Sequence, residues 1–127
     1  MANLTPFAQQ TLLGVFRGLD TKLPTGMYVG LIGESPDNPE DIREVRGRGY
    51  KRQPLTLGAP VNGVCDNPGD ISFGIAQGLW GRVVAIGVYD AATVGNLWLL
   101  SEMELPQTVD EGSPFKIPAG GLSISLL

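Results

Sequence analysis

The sequence contains no histidine and only one cysteine, Cys65. The common zinc, copper and haem sites are built from histidine and cysteine ligands, so this chain cannot assemble them. The Ser-His-Asp and Cys-His arrangements of nucleophilic catalysis are excluded for the same reason. A single cysteine also excludes a framework of disulfides within the chain. We interpret Cys65, which lies in a turn-rich stretch, as a small buried or half-buried residue and not as a nucleophile.

The remaining catalytic and cofactor patterns are weak. Asp66, Asp70 and Asp90 lie near predicted turns, where carboxylates usually bind the backbone, so catalysis by a carboxylate pair is not favoured. The acidic stretch 37–41 contains a proline and lacks the regular ligand spacing of a calcium loop. The lone GxG at 47–49 lacks the lysine and the strand-to-helix setting of a phosphate loop. The sequence therefore predicts no enzyme activity, no catalytic residues, no cofactor and no metal.

The chain is poor in charge, with 17% charged residues against 43% hydrophobic ones, and its net charge is −4. A net negative charge argues against a broad basic face for nucleic acid. No apolar run reaches the roughly 18 residues of a membrane span, and the N-terminus lacks the pattern of a signal peptide. We expect a soluble protein from a reducing compartment, without nucleic acid or membrane partners. The low charge favours a surface that is partly buried in an assembly.

The length of 127 residues predicts one domain, 1–127, with a helix at its N-terminus and a β body over 26–127. Thr5 is a suitable N-cap and Pro6 a suitable first helical residue, which predicts a helix over 5–18. Its apolar residues at helical spacing are Ala8, Leu12, Val15, Phe16 and Leu19. This spacing favours packing on the chain's own sheet, with docking on a neighbouring subunit as the alternative.

Short apolar runs separated by turn residues predict seven or eight strands. The runs are 26–33, 52–57, 71–75, 83–89, 97–100, 114–117 and 122–126, and a turn is predicted from Pro106 to Gly112. Eighteen glycines and ten prolines favour many turns and short strands over long helices. The predicted fold class is mainly β, a β-sandwich or jelly roll of short antiparallel strands with one N-terminal helix.

The stretch 80–104 organises the rest of the chain, because the run 83–89 is apolar or small at every position. Simple alternation would place Val83, Ala85 and Tyr89 on one face and the even-numbered residues on the other. A strand that is apolar on both faces is usually covered on both, so we expect core packing or an oligomer interface. A sugar-stacking platform of the two tryptophans is less favoured. The candidate core or oligomer residues are Trp80, Val84, Ile86, Val88 and Trp98.

The stretch 34–50 is predicted to be a long extended loop, in which acidic residues come first and basic residues follow. Proline and glycine at several positions argue against a helix there. A solvated loop that partly neutralises itself is one interpretation. The other is a docking arm that reaches an acidic patch on a partner, because long loops without structure of their own are uncommon unless they bind something. The candidate partner-docking residues are Arg43, Arg46, Arg48, Lys51 and Arg52.

A series of short motifs runs in order over about 100 residues, from Tyr28 to the C-terminus. The motifs are Tyr28–Leu31, Glu44-Val45, Gly49–Gln53, Leu57–Pro60, Asn62-Gly63, Ile71–Phe73, Trp80–Val83, Ile86–Ala92, Gly95–Leu97 and Ile117–Leu122. Their order and spacing resemble those of a family of small structural proteins of tailed double-stranded-DNA bacteriophages. Some members are described as capsid cement or decoration proteins and others as tail-fibre proteins.

The resemblance implies a β-sandwich or jelly-roll body, a place in the virion after assembly in the host cytoplasm, and no catalytic residues. It implies a cement protein that bridges subunits of the major capsid protein, often as a homo-oligomer (a dimer or trimer). A protein that binds only the assembled shell would stabilise it, and many symmetric copies would add their contributions. A tail, neck or fibre component is the first alternative, and a carbohydrate-binding jelly-roll module is the second.

Overall fold

The computed structural model describes residues 2–18 and 23–125. The elements of these residues are β1 (Asn3–Leu4), α1 (Pro6–Phe16), β2 (Tyr28–Glu34), β3 (Ile42–Glu44), β4 (Gln53–Pro54), β5 (Val64–Asp66), β6 (Ile71–Ile75), β7 (Gly81–Tyr89), β8 (Leu97–Val109), β9 (Pro114–Ile117) and β10 (Ser123–Ser125). The fold is mainly β with one short helix near the N-terminus, which confirms the predicted fold class. Leu19 and Leu126, which the sequence assigned to the helix and the last strand, lie outside the described residues.

The largest sheet has six strands in the order β1-β8-β7-β2-β3, and β4 pairs with β2 beside β3. All of its strand pairs are antiparallel. Two smaller antiparallel sheets, β5 with β10 and β6 with β9, complete the fold. The hairpin of β7 and β8, which the sequence marked as the organising stretch, forms the middle of the large sheet.

The predicted strand bounds agree best with the observed ones where turn residues enclose an apolar run, as they do at β6 and β9. Three strands of two or three residues, β1, β3 and β5, were not predicted, and β3 lies inside the expected loop 34–50. Strands this short carry too few residues for a periodic pattern. β8 also runs on to Val109, well past the predicted end at Leu100 and through a stretch that was predicted to turn at Pro106.

One hydrophobic cluster joins the three sheets. The six-stranded sheet supplies Val29, Leu31 and Val88, none of which is exposed; the sheet of β6 and β9 supplies Phe73 and Phe115, and β10 supplies Ile124. The rings of these two phenylalanines meet edge to face, 5.9 Å apart. Because burial of such side chains is the main favourable contribution to folding, the small sheets stabilise the large one by covering its core side.

The helix packs on its own sheet, as the sequence favoured. The Thr5 hydroxyl accepts a hydrogen bond from the Ala8 N–H (3.2 Å) and donates one to the Leu97 carbonyl (2.7 Å), so the cap also ties the helix to β8. The Phe7 ring meets Trp98 edge-on at 5.4 Å. The helix buries little else, since Leu13 and Phe16 remain exposed.

The face assignment made from the sequence is wrong at Val83, because β7 has a bulge at Val84. On β2, Ile32 lies opposite Ala85 and Gly33 lies opposite Val83, so Val84 has no partner there. The extra residue reverses the alternation of β7 at this point. Val83 therefore joins Ile86 and Val88 in the core cluster, instead of sharing a face with Ala85 and Tyr89.

Candidate functional site

The segment that follows β3 carries most of the candidate docking residues, and Trp80 fixes its path. The Trp80 indole N–H donates a 2.8 Å hydrogen bond to the Arg48 carbonyl. A Cβ on Gly47 would lie 2.2 Å from Trp80 Cδ1, so only glycine lets the chain pass this close to the ring. The segment is therefore held against the core by its backbone, which leaves the side chains of Arg46 and Arg48 exposed.

The Tyr50 hydroxyl fills a gap along the edge of β2, between the short strands β3 and β4. It accepts a 2.9 Å hydrogen bond from the Leu31 N–H and donates a 2.6 Å hydrogen bond to Glu44 Oε2. The ring packs edge-on against Trp80, with centroids 5.6 Å apart, and stacks on Phe73 at 6.2 Å. The Tyr50 hydroxyl thus takes the place of a backbone carbonyl as the acceptor of the Leu31 N–H. Without it, the buried N–H would be unpaired, which costs free energy.

Arg52 joins this edge of the sheet to the loop between β7 and β8. Its guanidinium binds Glu44 through two hydrogen bonds, of 2.8 and 2.9 Å. Nη1 donates to the carbonyls of Ala91 and Val94, at 2.8 Å each. The guanidinium also lies 3.6 Å from the centre of the Tyr89 ring, a favourable cation–π distance. The Arg52 side chain is 7% exposed and is engaged within the chain.

The electrostatics of this cluster favour a charged Glu44 and a neutral Tyr50. Burial raises the pKa of Glu44, but hydrogen bonds from Arg52 and Tyr50, with the charges of Arg52 and Arg46, hold the net pKa below its ordinary value. Burial raises the pKa of Tyr50 strongly, and its hydrogen bond to the Glu44 carboxylate raises it further. The cluster is therefore a structural ion pair with a phenol donor, and it holds no proton that is ready to transfer near neutral pH.

The candidate docking residues divide into two groups. Arg43 binds Asp41 at 2.9 Å and Arg52 binds Glu44. Across the described residues, the side chains of Arg46, Arg48 and Lys51 form no ion pair or hydrogen bond, and all three are exposed. These three, which we call the basic edge, are the cations available to a partner. Their role in docking stays a prediction.

Near the opposite edge of the large sheet, β8 pairs irregularly with β7. Between the pairs Ala85–Glu102 and Val83–Gln107, β7 has one residue and β8 has four. The four residues 103–106 therefore lie without partners on β7, and Leu105 among them is 83% exposed. A groove of about 380 Å³ runs between this part of β8 and residues 115–118 at β9. We call it the acidic groove, because the exposed Glu102 and Glu104 line it, whereas the Lys116 ammonium, which also lines it, pairs with Asp70 at 3.3 Å.

The family of the chain follows from a match over almost its whole length. The family model described as Podophage GP4 fiber I protein gp80 matches residues 3–125. The chain belongs to this family. No curated protein matches the sequence. As a member of the fiber I family, the protein is a structural component of a phage virion, of the fibre type. This confirms the broader implication of the sequence resemblance, that the chain is a phage structural protein.

In this fiber I family member, the candidate core or oligomer residues mostly lie inside the chain. Trp80, Ile86, Val88 and Trp98 are at most 7% exposed and belong to the hydrophobic cluster. Val84, at the bulge, is half-buried. The two tryptophan rings do not form an exposed platform, since their N–H groups are bound to the Arg48 carbonyl and to Asp90 Oδ2.

Two of the three carboxylates considered for chemistry, Asp70 and Asp90, bind backbone N–H groups instead. Asp90 accepts hydrogen bonds from the Asn96 backbone N–H (2.8 Å) and the Trp98 indole (3.0 Å), and these bonds lower its pKa. Asp70 accepts from the Ala119 N–H (2.9 Å) and pairs with Lys116, and the pKa of Asp70 is lowered as well. No group of metal-binding side chains occurs within 2–18 and 23–125. In the same ranges, no helix is long and apolar enough to cross a membrane.

Sequence reasoning missed the residues that position the basic edge. Nothing nearby in the sequence shows that Tyr50 accepts the Leu31 N–H or that Glu44 binds Arg52. It also missed the acidic groove. Glu102 and Glu104 gain their position from the irregular pairing of β7 with β8, which leaves no local sequence pattern.

Proposed function

We propose that this protein is a structural component of the tail-fibre apparatus, and that it acts through non-covalent contacts with other virion proteins and not as an enzyme. The observation that supports this proposal is the match of residues 3–125 to a fibre family. The carboxylates of Glu44, Asp70 and Asp90 and the hydroxyl of the half-buried Tyr50 are engaged in structural hydrogen bonds, which agrees with a role in adhesion.

The surface supports a role inside an assembly. Leu13, Val15 and Phe16 of α1 are 58%, 40% and 86% exposed and follow one another closely along the helix. Single exposed apolar residues are normal, but neighbouring ones favour contact with another protein. In a fibre or its attachment site such a surface would be covered by a partner.

A capsid cement protein is the second candidate, and the basic edge favours it. Arg46, Arg48 and Lys51 are exposed cations without internal partners among the described residues, which suits docking on an acidic patch of the major capsid protein. Such a protein would bridge capsid subunits and stabilise the shell because it binds only the assembled state.

Copy number separates the two candidates. Shell symmetry requires hundreds of copies of a cement protein, whereas a tail or fibre component is present in roughly a dozen to a few dozen copies. Quantitative mass spectrometry of purified virions, with labelled peptides of this chain and of the major capsid protein, gives the ratio. Immunogold electron microscopy gives the location. We expect a low ratio and label at the tail; a high ratio with label over the shell would overturn the fibre proposal in favour of cement.

A further inference from the structure

We infer that copies of this chain join edge to edge, with the basic edge of one copy on the acidic groove at β8 of the next. The inference rests on the proposed function, since it explains how a fibre-type component would contact its own kind. It depends on three features of the described residues: an open strand edge, opposite charges near opposite edges of one sheet, and a row of paired residues that places the end of β3 level with Glu102.

The open edge belongs to β8. On its outer side, β1 pairs only with Leu99 and Leu100. Beyond Leu100, no strand of the described chain covers the outer side of β8, and the groove next to residues 101–107 is lined on its far wall by residues 115–118. This stretch is therefore open to contact by the side chains of another chain, whereas Pro106 and the two glutamates disfavour pairing of its backbone.

The charges near the two edges of the large sheet are opposite in sign. The strand order places β3 at one edge and β8 next to the other, with only the two-residue β1 beyond it. The basic edge follows β3 directly, whereas Glu102 and Glu104 lie on β8. Neither glutamate forms an ion pair with a described residue. Each copy therefore carries both halves of a complementary contact.

The end of β3 and Glu102 lie at the same height along the strands. Glu44 pairs with Ile32, Ile32 with Ala85, and Ala85 with Glu102, so one row of cross-strand neighbours connects the two edges. Arg46 follows two residues after the start of this row, and Glu102 ends it. A second copy placed beside the first by a shift across the sheet would bring the end of its β3, two residues before Arg46, to the height of Glu102.

This geometry favours a head-to-tail contact over a two-fold one. A two-fold contact places the same edge of both copies together and would oppose Arg46 to Arg48, or Glu102 to Glu104, in like-charge pairs. A head-to-tail contact joins different surfaces and therefore continues into a ring or an open filament. The occupant of the groove is thus a second copy of this chain, through its basic edge.

The test uses two charge-reversed variants of the full chain, R46E/R48E and E102K/E104K. Sedimentation velocity should show concentration-dependent assembly of the wild-type protein that weakens with added salt. Each double variant should weaken this association at least about tenfold, because it opposes like charges at the contact. The quadruple variant, in which both edges are reversed, should recover most of the association. Circular dichroism confirms that each variant is folded.

The control is D66K/E111K, which makes the same change of charge as E102K/E104K, at exposed positions outside the basic edge and the acidic groove. This variant should associate as the wild-type protein does. A wild-type monomer at about 100 µM, well above the Kd of a standard-sized interface, would overturn the inference. So would double variants that associate normally, or a quadruple variant that stays dissociated. These outcomes leave the fibre proposal standing, because copy number and location in the virion test it separately.

Discussion

Arg52 and Glu44 form a two-point ion pair between residues that lie eight positions apart, with Nε 2.8 Å from Oε2 and Nη2 2.9 Å from Oε1. The same guanidinium holds the loop between β7 and β8 through the carbonyls of Ala91 and Val94. One side chain therefore connects β3, the start of β4 and the loop after β7. The conformation of the segment that presents the basic edge depends on this connection.

Replacing Arg52 with alanine should lower the free energy of unfolding by about 3 kcal/mol, because it leaves a partly buried carboxylate without its partner. Lysine should recover only part of this loss, since a single ammonium cannot bind both carboxylate oxygens and two carbonyls. Urea denaturation followed by circular dichroism measures both effects.

The matched control is Arg82→Ala. Arg82 binds Glu34 at the same 2.8 Å distance, but its side chain is 51% exposed. Exposed pairs of this kind contribute at most about 1 kcal/mol. Equal losses from the two alanine variants would show that the surroundings of Arg52 add nothing to its ion pair.

The pH dependence of stability should report the ionisation of Glu44. Its pKa in the folded protein lies below the ordinary value of 4.5, so the unfolded chain binds the proton more readily. The stability from this group is complete above pH 4.5 and is lost as the pH falls through the lower folded-state pKa. Asp70 and Asp90, whose pKa values are also lowered, add to the same loss.

Glu44→Gln removes one of these three contributions. The variant should be less stable at neutral pH, and its stability should fall less steeply than that of the wild-type protein below pH 4.5. Urea midpoints measured from neutral pH downward test the slope independently of the absolute stability. Parallel curves for the two proteins would contradict the lowered pKa.

The Tyr50 hydroxyl should protect the backbone amide of Leu31 from exchange with solvent. Tyr50→Phe keeps the ring between Trp80 and Phe73 but removes the acceptor of this N–H. We expect a loss of about 2 kcal/mol, which is typical when a buried polar group is left unpaired. Hydrogen exchange followed by NMR should show faster exchange at Leu31. Tyr28→Phe is the control, because the Tyr28 hydroxyl forms no hydrogen bond with another described residue, and it should leave both quantities nearly unchanged.

The parts of the fold that were predictable from sequence are those that local patterns determine. Ile71 and Phe73 alternate with polar or small residues between turns, and β6 lies where this pattern places it. The bulge at Val84 appears instead in the pairing of β7 with its neighbouring strands β2 and β8, so alternation placed Val83 on the wrong face. Pro106 suggested a turn, yet it lies within β8, in the part that has no partner on β7. Its missing N–H therefore costs no hydrogen bond there.

The candidate site was predictable only in part, for the same reason. Its basic composition marked the segment from Arg43 to Arg52, but composition cannot separate a cation that faces solvent from one that is engaged internally. Arg52 is engaged because Ala91 and Val94, about forty residues away in sequence, supply carbonyls beside it. Contacts at that separation arise from the sheet order and leave no local signal.

Val94 stores strain that a substitution should release. Its φ of 56° lies in the left-handed region, which is unfavourable for a β-branched residue, and its side chain is 85% exposed. Asparagine adopts this conformation more readily, so Val94→Asn should raise the free energy of unfolding by about 1 kcal/mol. Val61→Asn is the control, since Val61 is also exposed but has no left-handed φ, and its effect should stay within about 0.5 kcal/mol.

A double-mutant cycle tests what holds Val94 in place. Arg52 donates a hydrogen bond to the Val94 carbonyl, so it helps to keep the loop in the strained conformation. Without Arg52 the loop can relax, and the gain from Val94→Asn should shrink in the Arg52→Ala background. The difference between the two gains is the coupling free energy of the two residues. Equal gains in both backgrounds would mean that the loop's own turn, closed by Asp90 and Asn96, maintains the strain without Arg52.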